Sequence, residues 1–260
     1  MRLSCPPAPM ELALFCLWCF LVALAGGLVG LVLGNIRLPA TLLVAGSAAA
    51  GTGANLLISA AAAATASIAH IRAGRISWRL FAWMAPPSVA FAFLGGYLSG
   101  VLPRTALLLV ISAVLLYSAF DLSRWTPPDR SATTTGGVDY RVAAVSGAFI
   151  GLLGGVVGLI LGSLRMPALL KLANVAPAQA AGTNLAVGFW VGVAGAIGHL
   201  PSSGVGGVDL RIAAYGAAAS VPGALLGSRL TGRLSEVQLV RAIAAVLFVA
   251  GIATAAESLA

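Results

Sequence analysis

Acidic side chains are nearly missing from this chain, with seven Asp and Glu among 260 residues. All charged residues together make up 8%, against about 25% in ordinary soluble domains. A soluble domain of this size cannot hide a composition that is 60% hydrophobic, because too much of a small protein lies near its surface. Cysteine is scarce as well. Cys5, Cys16 and Cys19 all sit near the N-terminus. Cys16-Leu17-Trp18-Cys19 has the C-x-x-C spacing but stands in an apolar run with no second ligand pair, so it reads as small apolar filler rather than a metal or redox site. There is no His-Glu-x-x-His, no phosphate-binding Gly-x4-Gly-Lys-Ser/Thr loop and no pair of aspartates inside an apolar stretch. Nothing therefore supports an enzyme or a nucleotide-driven pump, and no cofactor or metal is expected.

What the chain has is long apolar runs. A bilayer core of about 30 Å is crossed by about 20 apolar residues in a helix. Runs of that kind cover residues 12–33, 48–69, 80–102, 105–120, 142–161, 178–198, 212–230 and 237–255. The expectation is an all-α integral membrane protein with eight transmembrane helices. The first run follows Arg2 and could pass for a signal peptide, but it is longer than a signal core and has no clear cleavage site, so it reads as the first span. The 32 glycines and abundant alanines suit close helix packing in lipid. The net charge of +8 comes from basic residues scattered singly through short connections, which fits anchoring at anionic headgroups and gives no nucleic-acid pattern.

One strongly polar stretch, residues 123–141, divides the chain into a first transmembrane repeat over residues 11–122 and a second over 142–256. The two align. Gly30-Leu-Val-Leu-Gly34-Asn-Ile-Arg37-Leu-Pro39-Ala40 matches Gly158-Leu-Ile-Leu-Gly162-Ser-Leu-Arg165-Met-Pro167-Ala168 at a shift of 128 residues. Asn55 matches Asn184 and His70 matches His199 at 129, and Gly95 matches Gly227 at 132. Two tandem four-helix repeats follow. Four crossings per repeat would bring both units in from the same side, with the pseudo-two-fold axis along the membrane normal. On that count, eight basic residues fall on the linker side and seven on the other, which leaves orientation undecided.

Three paired features can carry chemistry. The first is the Gly-x2-Arg-x-Pro element after spans 1 and 5. Gly34 and Gly162 loosen the helix end, while Pro39 and Pro167 suit the first turn of a new helix. A break there would aim helix N–H groups, together with Arg37 and Arg165, at an oxyanion. Its plain alternative is an interfacial turn with snorkelling arginines. The second is Gly51-Thr52-Gly53-Ala54-Asn55 with Gly182-Thr183-Asn184. Asn55, Thr183 and Asn184 could be N-caps opening a helix or polar contacts along a substrate path. The third is His70 and His199, the only histidines. They are candidates for proton coupling, or else residents of the headgroup zone.

Taken together, the Gly-rich helix end with its proline, Ala181-Gly182-Thr183-Asn184, His199 and Gly207-Val208-Asp209-Leu210-Arg211, in a chain of eight spans, resemble the sulfite exporter TauE/SafE family over roughly residues 12–255. Where members often have a run of three glycines, this chain reads Leu33-Gly34-Asn35 and Leu161-Gly162-Ser163. The resemblance implies a permease for sulfite, sulfonates or other small organic anions in the bacterial inner membrane. Its partners would be the anion and the bilayer, and a homo-oligomer is compatible with it. The alternatives are a non-transporting accessory subunit and a passive anion channel.

Overall fold

The computed structural model describes residues 8–45, 48–98, 104–124, 138–157, 159–173, 175–203 and 209–259. The polar linker from 125 to 137 and Gly158 lie outside them. Ten α-helices and no strand occur among the described residues. The first half contributes α1 (Pro9–Val29), α2 (Gly34–Val44), α3 (Ala48–Arg72), α4 (Trp78–Tyr97) and α5 (Arg104–Ser123). The second contributes α6 (Tyr140–Val157), α7 (Gly162–Pro167) running on into a π-turn (Ala168–Leu172), α8 (Pro177–Ser203), α9 (Leu210–Leu230) and α10 (Glu236–Leu259). Each of the eight expected spans falls on a helix. Among the described residues, six helices are long and apolar enough to cross a membrane: α1, α3, α4, α6, α8 and α10. Large apolar side chains such as Leu14, Phe91, Val145, Phe149 and Phe248 face outward, which suits lipid and not water.

The breaks expected after the first and fifth spans are present, but they fall earlier than the prolines suggest. Gly30 takes a left-handed φ of 73° and ends α1. The chain is non-helical over 31–33 and 160–161, and helix resumes at Gly34 and Gly162. Pro39 and Pro167 are thus the sixth residues of α2 and α7, not first-turn residues. Arg37 and Arg165 stand inside those helices rather than ahead of them. The expected N-caps are also displaced. α3 starts at Ala48 and α8 at Pro177, so Asn55, Thr183 and Asn184 lie about two turns inside, where buried arginines hold the two asparagines and the Ser77 amide holds Thr183.

The path after each break changes the topology. α2 turns back along α1, and its Ala40 and Val44 pack beside Leu12, Phe15 and Cys16 near the start of α1. The same reversal follows α6. The amide of Asp139, just before α6, donates to the Ala173 carbonyl at 3.3 Å, and Lys171 pairs with Asp121 at the end of α5 at 3.0 Å. Each half therefore makes an odd number of passes through the bundle. Helices α6, α8, α9 and α10 therefore run opposite to α1, α3, α4 and α5, taken in that order, which does not fit the expected axis along the membrane normal. The missed pass is α2, whose 11 residues reach only about 16 Å at 1.5 Å per residue.

Packing follows the same exchange. α1 lies against α9 and α6 against α4, while α3 meets α8 and α5 meets α10. Glycine sets the closest approaches. A methyl group on Gly27 would strike the Ala224 carbonyl, and one on its counterpart Gly155 would strike that of Ala92. Gly227 meets the Leu24 carbonyl as Gly95 meets that of Leu152. Such contacts stabilise helices in lipid through van der Waals packing, with no hydrophobic drive between them.

The corrected path also re-sorts the basic residues. Arg72, Arg75, Arg79, Arg124, Arg141, Lys171, Arg229, Arg233 and Arg241 lie toward the end where α3, α5 and α9 finish and α4, α6, α8 and α10 begin. Of the remaining described basic residues, Arg104 and Arg211, the latter beside its capping residue Asp209, belong to the opposite end. Arg37 and Arg165 belong to neither, being 1% and 0% exposed.

Candidate functional site

Each break is built around an arginine and an asparagine from the long helix that follows. In the first half, Arg37 Nε donates to Asn55 Oδ1 at 2.9 Å, and Nη2 donates to the Asn55 carbonyl at 3.2 Å. Nη2 also reaches the Ser59 hydroxyl, one turn further along α3. Asn55 Nδ2 returns a bond to the Gly34 carbonyl at 3.0 Å, tying the restart of the broken helix to α3. In the second half, Arg165 Nη1 donates to Asn184 Oδ1 at 3.1 Å. Asn184 Nδ2 donates to the Gly162 carbonyl at 3.1 Å and, across the halves, to the Gly30 carbonyl at 2.8 Å. The two breaks therefore meet at the centre of the molecule. A Cβ on Gly162 would stand 3.5 Å from the Val32 amide and 3.2 Å from Asn184 Nδ2.

No Asp or Glu is among the buried residues described. The two buried guanidinium groups consequently face only neutral partners. Charge in a membrane interior is costly and gathers where substrate or ions pass. The partners are also unequal. Among the described residues, Arg165 Nε and Nη2 have no hydrogen-bond partner.

Of the other expected residues, Thr183 is buried and accepts the Ser77 amide at 3.1 Å, fixing the turn between α3 and α4. Pro39 is exposed and Pro167 partly buried, and their part is to shape the short helices. His70 is fully buried, in the last turn of α3. Its two ring nitrogens have no partner among the described residues, with the Gly27 carbonyl nearby but outside hydrogen-bond geometry. The side chains of His199 and Thr52 lie outside the described residues. Sequence reasoning missed Ser59 and Ser77. Ser59 was findable as the residue one helical turn after Asn55, on the same face. Close to the second break, Leu159, Ile160, Gly192 and Gly195 help line a cavity of about 10 Å³, room for roughly one water. An anion could enter there only if the helices part. Among the described residues no cluster of His, Cys, Asp and Glu could hold a metal ion.

Buried cations at paired helix breaks, inside a lipid-facing helical bundle, define a polytopic membrane protein with a central polar site. The family is identifiable as well. The model of the family described as Sulfite exporter TauE/SafE matches residues 15–254, and this chain belongs to that family. No curated protein and no solved structure matches the chain.

Proposed function

We propose that this protein is a secondary transporter of small sulfur-containing or organic oxyanions, with sulfite and sulfonates as the substrate class, in the bacterial inner membrane. The observation that carries this reading is the pair of fully buried arginines at the two helix breaks, with no buried carboxylate among the described residues to neutralise them. A guanidinium held in a dry interior is matched by an oxyanion able to accept two parallel N–H bonds. Family membership supports a transporter. The aligned halves and the mirrored packing support a duplication in which the two units lie inverted in the membrane. Broken helices that meet near the midplane are the usual substrate site in such carriers, which alternate access by rocking one unit on the other. In this reading all eight long helices pass through the bilayer, and α2 and α7 are half-length returns.

Purified protein in liposomes tests the reading. Sulfite uptake should saturate with concentration and fall at least tenfold in both Arg37→Ala and Arg165→Ala. Unchanged flux in both variants would overturn the assignment. His70 is the candidate for coupling to protons, on its burial inside the bundle. His70→Gln should keep sulfite exchange between the two sides while losing accumulation driven by a pH gradient. Retained accumulation removes His70 from the mechanism.

A further inference from the structure

The two arginines occupy matching places but are bonded through different atoms. The Nε and Nη2 hydrogens of an arginine point the same way and form its side-on fork, the edge that grips two oxygens of a carboxylate, phosphate or similar anion. In the first half that fork is filled by Asn55 and Ser59. In the second half Asn184 accepts instead from Nη1, and both fork atoms are buried without a partner among the described residues.

The sequence explains the difference. At the shift of 129 that pairs Asn55 with Asn184, Ser59 pairs with Gly188. The hydroxyl that closes the first fork has no counterpart in the second. The next turns continue the pattern, with Ala63 and Ala66 of α3 replaced by Gly192 and Gly195 of α8. The face of α8 leading from Arg165 toward the small cavity therefore lacks side chains, and Ile160 from the non-helical break fills part of the gap. An unpartnered buried donor is costly, and more so when charged. A ligand that accepts from both fork atoms would relieve that cost.

We propose that Arg165 alone takes the transported anion, side-on through Nε and Nη2, where Gly188 supplies no fork-closing hydroxyl, and that Arg37 is a closed structural copy of the same element. The proposal rests on the transporter reading above. It also narrows the ligand to an anion with at least two oxygens on one centre, so sulfite, sulfonate and carboxylate fit and a halide does not.

Gly188→Ser supplies the missing hydroxyl. The site has nearly enough room for it, since a Cβ there would lie 3.2 Å from Val32 Cγ2 and 3.6 Å from Ile160 Cγ2. The measurement is thermal stabilisation of the purified protein by sulfite, sulfate and methanesulfonate, with chloride at equal ionic strength as control. Gly188→Ser should need at least tenfold more oxyanion for the same shift, and Gly188→Ala less than threefold more. Arg165→Lys keeps the charge without the fork. It should also weaken binding at least tenfold, and it serves if Gly188→Ser does not fold. Wild-type-like stabilisation of Gly188→Ser or Arg165→Lys overturns the fork site while leaving the transporter reading in place. A wild-type protein stabilised by none of the three oxyanions overturns both.

A second inference stands on the charge sorting alone. Nine described basic residues lie at one end of the bundle and two at the other. Connections rich in Lys and Arg stay in the cytoplasm. We infer that the end carrying Arg75, Arg124 and Arg233 faces the cytoplasm, and that the start of α1 and the end of α10 face outward. In a Cys5→Ser background, a membrane-impermeant maleimide should label Ala8→Cys in intact cells and Ser123→Cys only after permeabilisation. The opposite pattern overturns the orientation.

Discussion

The two halves of this protein share a frame and differ in how one cation is held. Gly27 against Ala224 and Gly155 against Ala92 are the same contact made twice, as are Asn55 to Gly34 and Asn184 to Gly162. Against that sameness, Arg37 has its fork closed by Asn55 and Ser59, and the fork of Arg165 has no partner among the described residues. If the halves arose by duplication, as proposed, the scaffold still needs both sets of packing contacts, because losing either opens the bundle. It does not need both copies of a ligand site. On the proposed reading, a single exchange, Ser59 in the first half and Gly188 in the second, divides the element into a strut and a binding group.

The largest expected effect tests the shared frame. Gly95→Val and Gly227→Val each drive a branched side chain into a backbone carbonyl. Both should abolish recovery of folded protein, as judged by size-exclusion profile. Loss in one and tolerance in the other would break the symmetry of the packing. Next comes the contrast itself. Arg37→Met leaves Asn55 and Ser59 without their donor and should lower stability by about 2–3 kcal/mol. Arg165→Met removes a partly unpartnered buried charge and should be close to neutral in thermal stability, while sulfite flux is lost. Equal destabilisation by the two would erase the distinction between strut and binding group. The smallest effect is that of Ser59→Ala, which removes one hydroxyl from the closed fork. It should cost about 1 kcal/mol, seen as a modest fall in melting temperature.

Much of this was legible in the residues. Apolar run lengths located the long helices, and the Gly-x2-Arg-x-Pro element with its aligned Asn picked out residues that meet at each break. The topology was not legible by the same means. A criterion of about 20 residues detects full crossings and passes over an 11-residue helix that returns only part of the way. That single omission gave the wrong parity, the wrong axis and an even charge balance. The prolines misled for a local reason. Pro39 sits where Asn35 would otherwise receive an N–H bond, and in a helix this short the lost bond does not set the boundary; Gly30 and the non-helical turn after it do. The inequality of the arginines was present in the alignment at Ser59 and Gly188, but its meaning depended on which guanidinium nitrogens point at them, which sequence does not carry.

The stoichiometry of oxyanion binding is the most direct test of two like halves with one working site. Titration calorimetry of the purified protein with sulfite should give one anion bound per chain, unchanged in Ser59→Ala and lost in Arg165→Met. Two equivalent anions per chain would contradict the account.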